Sequence, residues 1–147
     1  MKKKKHLRQN LVIVSLLVMM LPQTLVYGAG NYKDTDFTFK FTEYCPFLGH
    51  RTAARAKQDY TSSYMKCKSL SNNYSYNATV YAVNPNGTTW TNTYYAVGSP
   101  SYTFRQGTTK YMINYVKEKG YSSACIRADQ NFDGTATATG VWSPDSI

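Results

Sequence analysis

The chain has little of what common enzyme classes use at their active sites. It contains two histidines and three cysteines in 147 residues, and only His50 lies beyond the basic start of the chain. No HExxH, CxxC, GxSxG or phosphate-binding glycine loop occurs, so zinc, thiol-redox, hydrolase and nucleotide chemistry lack their usual ligands. A nucleophile activated by His50 would need an orienting third group, and CPFLGH matches no catalytic motif. We therefore interpret His50 as a surface-loop residue and predict a protein that is not an enzyme and needs no cofactor.

The acidic residues single out neither a catalytic pair nor a metal site. There are eight of them, and no spacing favours the two carboxylates across a cleft that a glycosidase needs. The sharpest metal-like pattern is DQNFDG, where Asp129, Asn131 and Asp133 precede a glycine as in the first half of a calcium loop. Its twelfth position is Gly140 rather than glutamate. We interpret DQNFDG as a hairpin turn and keep calcium binding as the alternative.

No apolar run is long enough to span a bilayer. The longest, LVIVSLLVMML at residues 11–21, has the length of a signal-peptide core, whereas a membrane helix needs about 20 residues. It follows the basic stretch MKKKKHLRQN and precedes small residues. We predict a signal peptide over 1–30, cleaved near Gly28 to Gly30, followed by a secreted domain over 31–147 with no membrane span.

Charge is sparse and unevenly placed in the expected mature chain. The leader holds five of the 17 Lys and Arg residues, so 12 remain against 8 acids, a net charge of about +4. No charged residue occurs from Ser69 to Phe104, and this stretch is rich in Tyr, Asn, Ser and Thr, which suits sheets. Bases concentrate between Arg51 and Lys68 without a nucleic-acid recognition motif. We interpret them as a solvated face and predict no nucleic-acid partner, with teichoic acid or lipid headgroups as other possible contacts of this face.

Alternation of apolar and polar residues predicts an all-β domain. The predicted strands cover residues 36–43, 59–70, 72–83, 88–97, 109–116, 121–130 and 135–142. Segment 45–58 is interpreted as a basic loop and 98–107 as a turn. Asn86-Gly87 favours a hairpin, and NFDG is expected to join the last two strands as a pair. Residues 109–118 also fit a helix face, but their aromatic and β-branched content favours a strand. About seven short strands predict a small antiparallel β-sandwich, with a small barrel as the alternative.

Three cysteines, Cys45, Cys67 and Cys125, belong to the expected mature chain. A secreted protein permits a disulfide, and the odd count leaves one thiol over. Alternation places Cys67 on an inward face and Cys125 on an outward one, between inward Ala124 and Ile126. A Cys67–Cys125 bond is therefore not favoured, and the pairing stays open.

Aromatic residues offer the best candidate binding surface. Fourteen tyrosines and two tryptophans beside Asn, Ser and Thr can stack on sugar rings or contact proteins, although half-burial of tyrosine on strands is the structural alternative. The candidate binding residues are Tyr74, Tyr76, Tyr81, Trp90, Tyr94, Arg51, Arg55 and Lys57. The residues predicted to be structural are Trp142, Cys45, Cys67 and Cys125.

Three segments carry a resemblance to known proteins: RAKQDYTSSYMKC, MINYVKEKGY and the terminal GVWSPDSI. They resemble conserved blocks of small secreted proteins of Gram-positive bacteria that share an uncharacterised domain, and the ending WSPDS is the most specific of them. More distantly, the chain resembles the secreted β-sandwich bacteriocins of the lactococcin 972 type. The first resemblance implies no catalytic residues; the second implies interference with wall synthesis through a wall precursor.

These observations lead to one functional expectation and one alternative. We expect a secreted, non-enzymatic protein that binds a bacterial cell-wall or cell-surface component, with a bacteriocin-like antagonist of related bacteria as its sharper form. The alternative is an extracellular structural, matrix or wall-associated binding protein without toxicity. In both cases Trp142 is expected to anchor the last strand at the edge of the sandwich.

Overall fold

The structure, a computed structural model, describes residues 30–42, 49–84 and 93–147. Its strands are β1 Thr35–Phe41, β2 His50–Arg51, β3 Arg55–Ala56, β4 Ser63–Leu70, β5 Tyr76–Asn84, β6 Thr93–Tyr95, β7 Ser101–Phe104, β8 Thr109–Met112, β9 Ser123–Gln130 and β10 Ala136–Ser143. A short 3-10 helix, Ser71–Asn73, lies between β4 and β5. The expected leader before Gly30, Cys45, Trp90 and the Asn86-Gly87 turn lie outside the described residues.

The strands form two antiparallel sheets that pack together, which confirms the predicted β-sandwich. The four-stranded sheet has the order β1-β10-β4-β8, and the six-stranded sheet has the order β2-β9-β5-β6. In the six-stranded sheet, β3 also pairs with β9 and β7 also pairs with β5. Both margins of this sheet are therefore made of very short strands, which limits the length of unpaired edge that another chain can extend.

The core lies between the sheets and is rich in aromatic rings. Along β1 every second residue is buried, namely Phe37, Phe39 and Phe41, as the period of a half-buried strand requires. The Phe39 ring meets the Tyr76 ring of β5 edge-on, with 5.9 Å between centroids. Burying such rings is the largest favourable contribution that a small domain can make to its stability. The phenylalanine alternation is therefore the sequence feature that fixes the inner face of the four-stranded sheet.

The predicted pairing of the last two strands is wrong. Strand β9 pairs with β5, β2 and β3, whereas β10 lies between β1 and β4 in the other sheet. Each strand turns an apolar row toward the shared core, so the segment between them crosses from one sheet to the other. Trp142 accordingly lies on an interior strand of the four-stranded sheet and not at the edge of the sandwich.

Three further segments differ from their predicted structure. Segment 45–58, interpreted as a loop, contributes β2 and β3, and the predicted turn at 98–107 contains β7. These strands are too short for alternation to be visible in the sequence. Residues 109–112 form a strand, as preferred over a helix, but the strand ends at Met112 and a turn covers 116–120. In the described part of the chain, no helix has the length and apolar character needed to cross a membrane.

Candidate functional site

The outer face of the six-stranded sheet gathers three of the predicted binding residues. On β5, Ala78, Val80 and Ala82 are buried in the core, so Tyr81 points to the opposite side. Tyr81 lies opposite Cys125, and Tyr94 of β6 lies opposite Val83 on the same side. Arg51 of β2 lies opposite Arg127 of β9. We call the group Arg51, Tyr81, Tyr94 and Arg127 the arginine–tyrosine face.

Two guanidinium groups lie over two tyrosine rings on this face. The Cζ atom of Arg51 is 4.4 Å from the Tyr94 ring centroid, and Cζ of Arg127 is 5.5 Å from the Tyr81 centroid. Arg127 Nη1 also donates a hydrogen bond of 3.1 Å to the Tyr81 hydroxyl. Stacking fixes a guanidinium plane over the ring while its N–H groups stay directed along the plane. The face is therefore preorganised for ligands with oxygen acceptors.

The two arginines differ in their counter-ions. Arg127 is neutralised by Asp129, whose Oδ1 lies 2.9 Å from Nε and 2.7 Å from Nη2. Arg51 has no carboxylate partner among the residues that the structure describes, and its buried Nε has no hydrogen-bond partner there. Arg51 is thus the cation of this face with capacity for an anionic ligand.

Cys125 lies beneath the arginine–tyrosine face. Strand alternation places Cys125 on the outer side of β9, and the thiol is nevertheless fully buried there. Burial raises its pKa to about 12, against an opposing effect of the Arg51 charge. Cys67 is buried in the core, and no bond joins it to Cys125. Both thiols therefore act as small apolar groups rather than nucleophiles.

The remaining predicted binding residues are not on this face. Tyr74 is stacked on Phe132 with 4.2 Å between ring centroids. The surface position expected for Tyr76 is wrong, because its ring is fully buried in the core. Arg55 is half-buried and held by contacts within the protein. Its Nη1 donates to the Trp142 carbonyl at 3.1 Å, and its Cζ lies 5.5 Å from the Trp142 ring.

Lys57, also predicted at the surface, is instead the centre of a buried cluster. We call Lys57, Asp59 and Asp145 the lysine cluster. Lys57 Nζ is 2.7 Å from Asp145 Oδ1 and 3.5 Å from Asp59 Oδ1. The Asp145 Oδ2 atom accepts from the backbone N–H groups of Asn31 at 2.6 Å and Gln58 at 3.0 Å. The terminal WSPDS is therefore held by its aspartate rather than by Trp142 alone.

The lysine cluster brings together two carboxylates that the sequence did not single out. Burial acts to raise the pKa of Asp59, but hydrogen bonds from the Thr61 hydroxyl, the Thr61 N–H and the Tyr32 hydroxyl hold it at about 2. A carboxylate with so low a pKa does not donate a proton near neutral pH. The arrangement suits a structural ion cluster better than an acid–base pair.

His50 and the calcium-like loop have ordinary structural partners. His50 lies on β2, not in a surface loop, and its ring meets Phe41 edge-on at 5.0 Å. In DQNFDG, Asp129 binds Arg127, and Gln130 Nε2 donates to the Phe132 and Gly134 carbonyls at 2.7 and 2.8 Å. Within the described ranges, no group of three or more His, Cys, Asp and Glu side chains is placed to hold a metal ion.

Sequence reasoning missed a second exposed surface, on the four-stranded sheet. Its members share an outward position at or beyond the β4–β8 ladder: Tyr60, Tyr64, Tyr111, Ile113 and Tyr115. We call this group the tyrosine band. The aromatic and β-branched content of residues 109–118 predicts a strand but does not indicate which of its side chains are exposed. Tyr111 lies on β8, and Ile113 and Tyr115 lie beyond its end at Met112.

Comparison with known proteins finds a family but no characterised relative. The family model described as "Protein of unknown function (DUF2712)" matches residues 24–146. No curated protein and no solved structure matches the chain. The fold and the two exposed surfaces are therefore the basis on which a function can be argued.

Proposed function

Since the chain belongs to the DUF2712 family, whose function is unknown, we propose from its own residues that it is a secreted, non-enzymatic binding protein of the bacterial cell surface. The ligand is an anionic wall polymer of the polyol-phosphate type, bound on the arginine–tyrosine face. The single observation that carries the proposal is Arg51, a cation stacked on Tyr94 with no carboxylate partner among the described residues.

The chemistry of the face fits this class of ligand. A guanidinium group forms paired hydrogen bonds with phosphate oxygens, and tyrosine rings beside it offer flat, amphipathic contact to sugar or polyol units. Tyr81 and Tyr94 flank the two guanidinium groups at 5.5 and 4.4 Å. A repeating polymer can engage such a face many times over, so that weak single contacts still give retention at a surface.

The signal-like leader supports an extracellular site of action, and the resemblance to secreted Gram-positive proteins supports the wall as the surface bound. The protein is non-enzymatic in this proposal because the two gathered carboxylates are bound to Lys57. An antagonistic role of the lactococcin 972 type is the sharper form of the same proposal, in which binding at the wall inhibits growth.

Co-sedimentation with purified Gram-positive walls tests the proposal. We expect the chain from residue 30 onward, which contains every described strand, to sediment with walls, and Arg51→Gln to reduce the affinity about tenfold through the loss of a charge-assisted contact. Lys33→Gln, which removes an exposed cation elsewhere, is the matched control. Equal binding by Arg51→Gln and wild type, or binding that survives removal of the anionic polymers, would refute the proposal. Spotting the same protein on lawns of related strains separates an antagonist from a wall protein without toxicity.

A further inference from the structure

The tyrosine band is an exposed apolar surface with defined geometry. Tyr64 of β4 lies opposite Tyr111 of β8, and their ring centroids are 5.6 Å apart. Beyond the ladder, Asn114 Nδ2 donates to the Thr61 carbonyl at 3.3 Å, which keeps the segments around Tyr60 and Tyr115 side by side. Tyr64 and Tyr111 therefore form a pair on β4 and β8, and the segments that carry Tyr60, Ile113 and Tyr115 extend the same margin beyond the end of these strands.

Four members of the band are exposed, whereas Tyr64 is half-buried beside Tyr111. The exposed fractions are 69% for Tyr60, 61% for Tyr111, 51% for Ile113 and 41% for Tyr115. Scattered exposed apolar residues need no explanation, but a contiguous group marks an interaction surface. Ile113 is informative because, unlike tyrosine, it has no polar group that benefits from contact with water.

Lysines lie on the same outer face as the band. Lys66 follows Tyr64 by two residues on β4, and Lys40 of β1 lies opposite Thr137 of β10, both exposed. Lys68 is exposed as well and forms an open ion pair of 3.6 Å with Asp36. Asp34 borders the groove at Tyr64 and Tyr111, and Lys40 and Lys66 have no carboxylate partner among the described residues. The face thus combines an apolar margin with two lysines whose charge is not paired.

We propose that the tyrosine band and these lysines dock the protein onto an anionic lipid bilayer. Tyrosine favours the boundary between headgroups and acyl chains because its ring is apolar and its hydroxyl is polar. An isoleucine at the centre of the row supplies apolar contact to the acyl region, and each lysine near an anionic surface adds attraction. The charge of the face is complementary to such a bilayer, which distinguishes it from a second copy of the same positively charged face.

This inference goes beyond the proposed wall binding and uses a different sheet. Arg51 and Tyr94 belong to the six-stranded sheet, whereas Tyr64, Tyr111 and Lys66 belong to the four-stranded sheet. Failure of one proposal is therefore distinguishable from failure of the other, since wall binding is measured without lipid and vesicle binding without wall.

The test is sedimentation of the chain from residue 30 onward with phosphatidylcholine vesicles that do or do not contain phosphatidylglycerol. We expect binding to the anionic vesicles only. Replacing Tyr111 and Ile113 together by serine should lower the partition coefficient roughly tenfold or more. Tyr95→Ser, a 37% exposed tyrosine of the six-stranded sheet, is the matched control and should bind as wild type.

Two further variants test the electrostatic contribution of the lysines to vesicle binding. Lys40→Gln and Lys66→Gln should each weaken binding about fivefold and reduce its salt dependence. Because all replaced residues are exposed, urea unfolding should show that every variant folds. Absence of vesicle binding by wild type, equal binding to neutral vesicles, or full binding by the serine variant would each overturn the proposal. If wild type forms a dimer, the serine variant does not, and neither binds vesicles, the proposal is overturned and the tyrosine band instead contacts a second copy of the chain.

Discussion

Lys57 is buried, although its polar and basic sequence neighbours indicate an exposed position. It lies in RAKQD, among bases and polar residues, yet its side chain is fully buried against Asp145, 88 residues further along the chain. A buried ammonium group is tolerated only when it is paired and hydrogen-bonded. Besides Asp145 it donates to the Thr61 carbonyl at 2.5 Å. The long-range ion pair with Lys57 is therefore one of the contacts that hold Asp145 and the WSPDS ending in place.

Asp145→Asn tests this interpretation. The amide keeps the shape of the side chain but removes the charge opposite Lys57, and we expect the free energy of unfolding to fall by about 3 kcal/mol, as for other buried pairs that lose one partner. Urea unfolding at neutral pH measures the change. Asp36→Asn is the matched control. The Asp36 side chain is 88% exposed in its ion pair with Lys68, so this substitution should leave stability unaltered. A loss no larger in Asp145→Asn than in the control would contradict the structural role.

Local sequence does not indicate which distant residue a side chain will contact in the folded protein. The type of side chain predicts an exposed position for lysine and an intermediate one for tyrosine, yet Lys57 and Tyr76 are both buried. Cysteine is often buried, and Cys125 is buried as well, although strand alternation places it on the outer side of β9. In each case burial depends on residues distant in the chain, such as Asp145 for Lys57. Tyr81 is the opposite case, since alternation along β5 places it on the outer face. Arg51 and Tyr94 are brought to the same face by the pairing of two short strands, which alternation does not indicate.

At the scale of the element, β10 is shaped by Gly140. The register between β10 and β4 shifts between Thr139 and Gly140, and Phe37 of β1 lies opposite Gly140 on the other side. A Cβ atom at this position would lie 2.0 Å from the Lys66 carbonyl oxygen and 2.7 Å from the Phe37 ring. Glycine is required here because the backbone of β4 and a core ring both approach β10 closely.

Gly140→Ala should therefore cost more than about 3 kcal/mol, because an interior strand cannot shift without displacing both of its neighbours. Gly120→Ala is the control: it has a φ of +83° but nothing within 4 Å, so only backbone strain of about 1–2 kcal/mol is expected. Thermal or urea unfolding of the two variants gives the comparison. Similar losses at the two positions would show that close packing at Gly140 is not the cause.

Strand alternation predicts faces but not partners. The inner rows of β1, β5 and most of β4 follow from the sequence because their buried residues recur with period two. In β9 the three consecutive residues 124–126 are buried, so burial there does not follow this period. Two strands of one hairpin and two strands that face each other across the core show the same alternation. Alternation therefore does not indicate that β9 and β10 belong to different sheets. Strands β2 and β3 have two residues each and carry no period at all.

The whole molecule presents its two candidate surfaces on different sheets. The arginine–tyrosine face lies on the six-stranded sheet and the tyrosine band on the four-stranded sheet, with the core between them. The geometry therefore allows a wall polymer and a bilayer to be bound at the same time, without competition for one surface. A modest net charge of about +4 for the expected mature chain favours both anionic partners without making binding unspecific.

Stability toward acid is also a property of the whole fold, because two titrating groups act in the same direction. Burial lowers the pKa of His50 below 6.5, so the unfolded chain takes up a proton first and stability falls as the pH drops below about 6.5. Asp59 has a pKa of about 2, lowered from 3.8. Its contribution to stability is present above pH 3.8 and is lost as the pH falls toward 2.

We therefore expect the free energy of unfolding, measured with urea at a series of pH values, to fall in two steps on acidification. His50→Gln should remove the upper step and leave the lower one, because glutamine does not titrate. Asp59→Asn should remove the lower step while losing stability at neutral pH, since the amide accepts the Thr61 and Tyr32 hydrogen bonds less strongly than a carboxylate does. A profile for Asp59→Asn that stays parallel to that of wild type between pH 4 and 2 would mean that Asp59 is not held in its charged form by the fold.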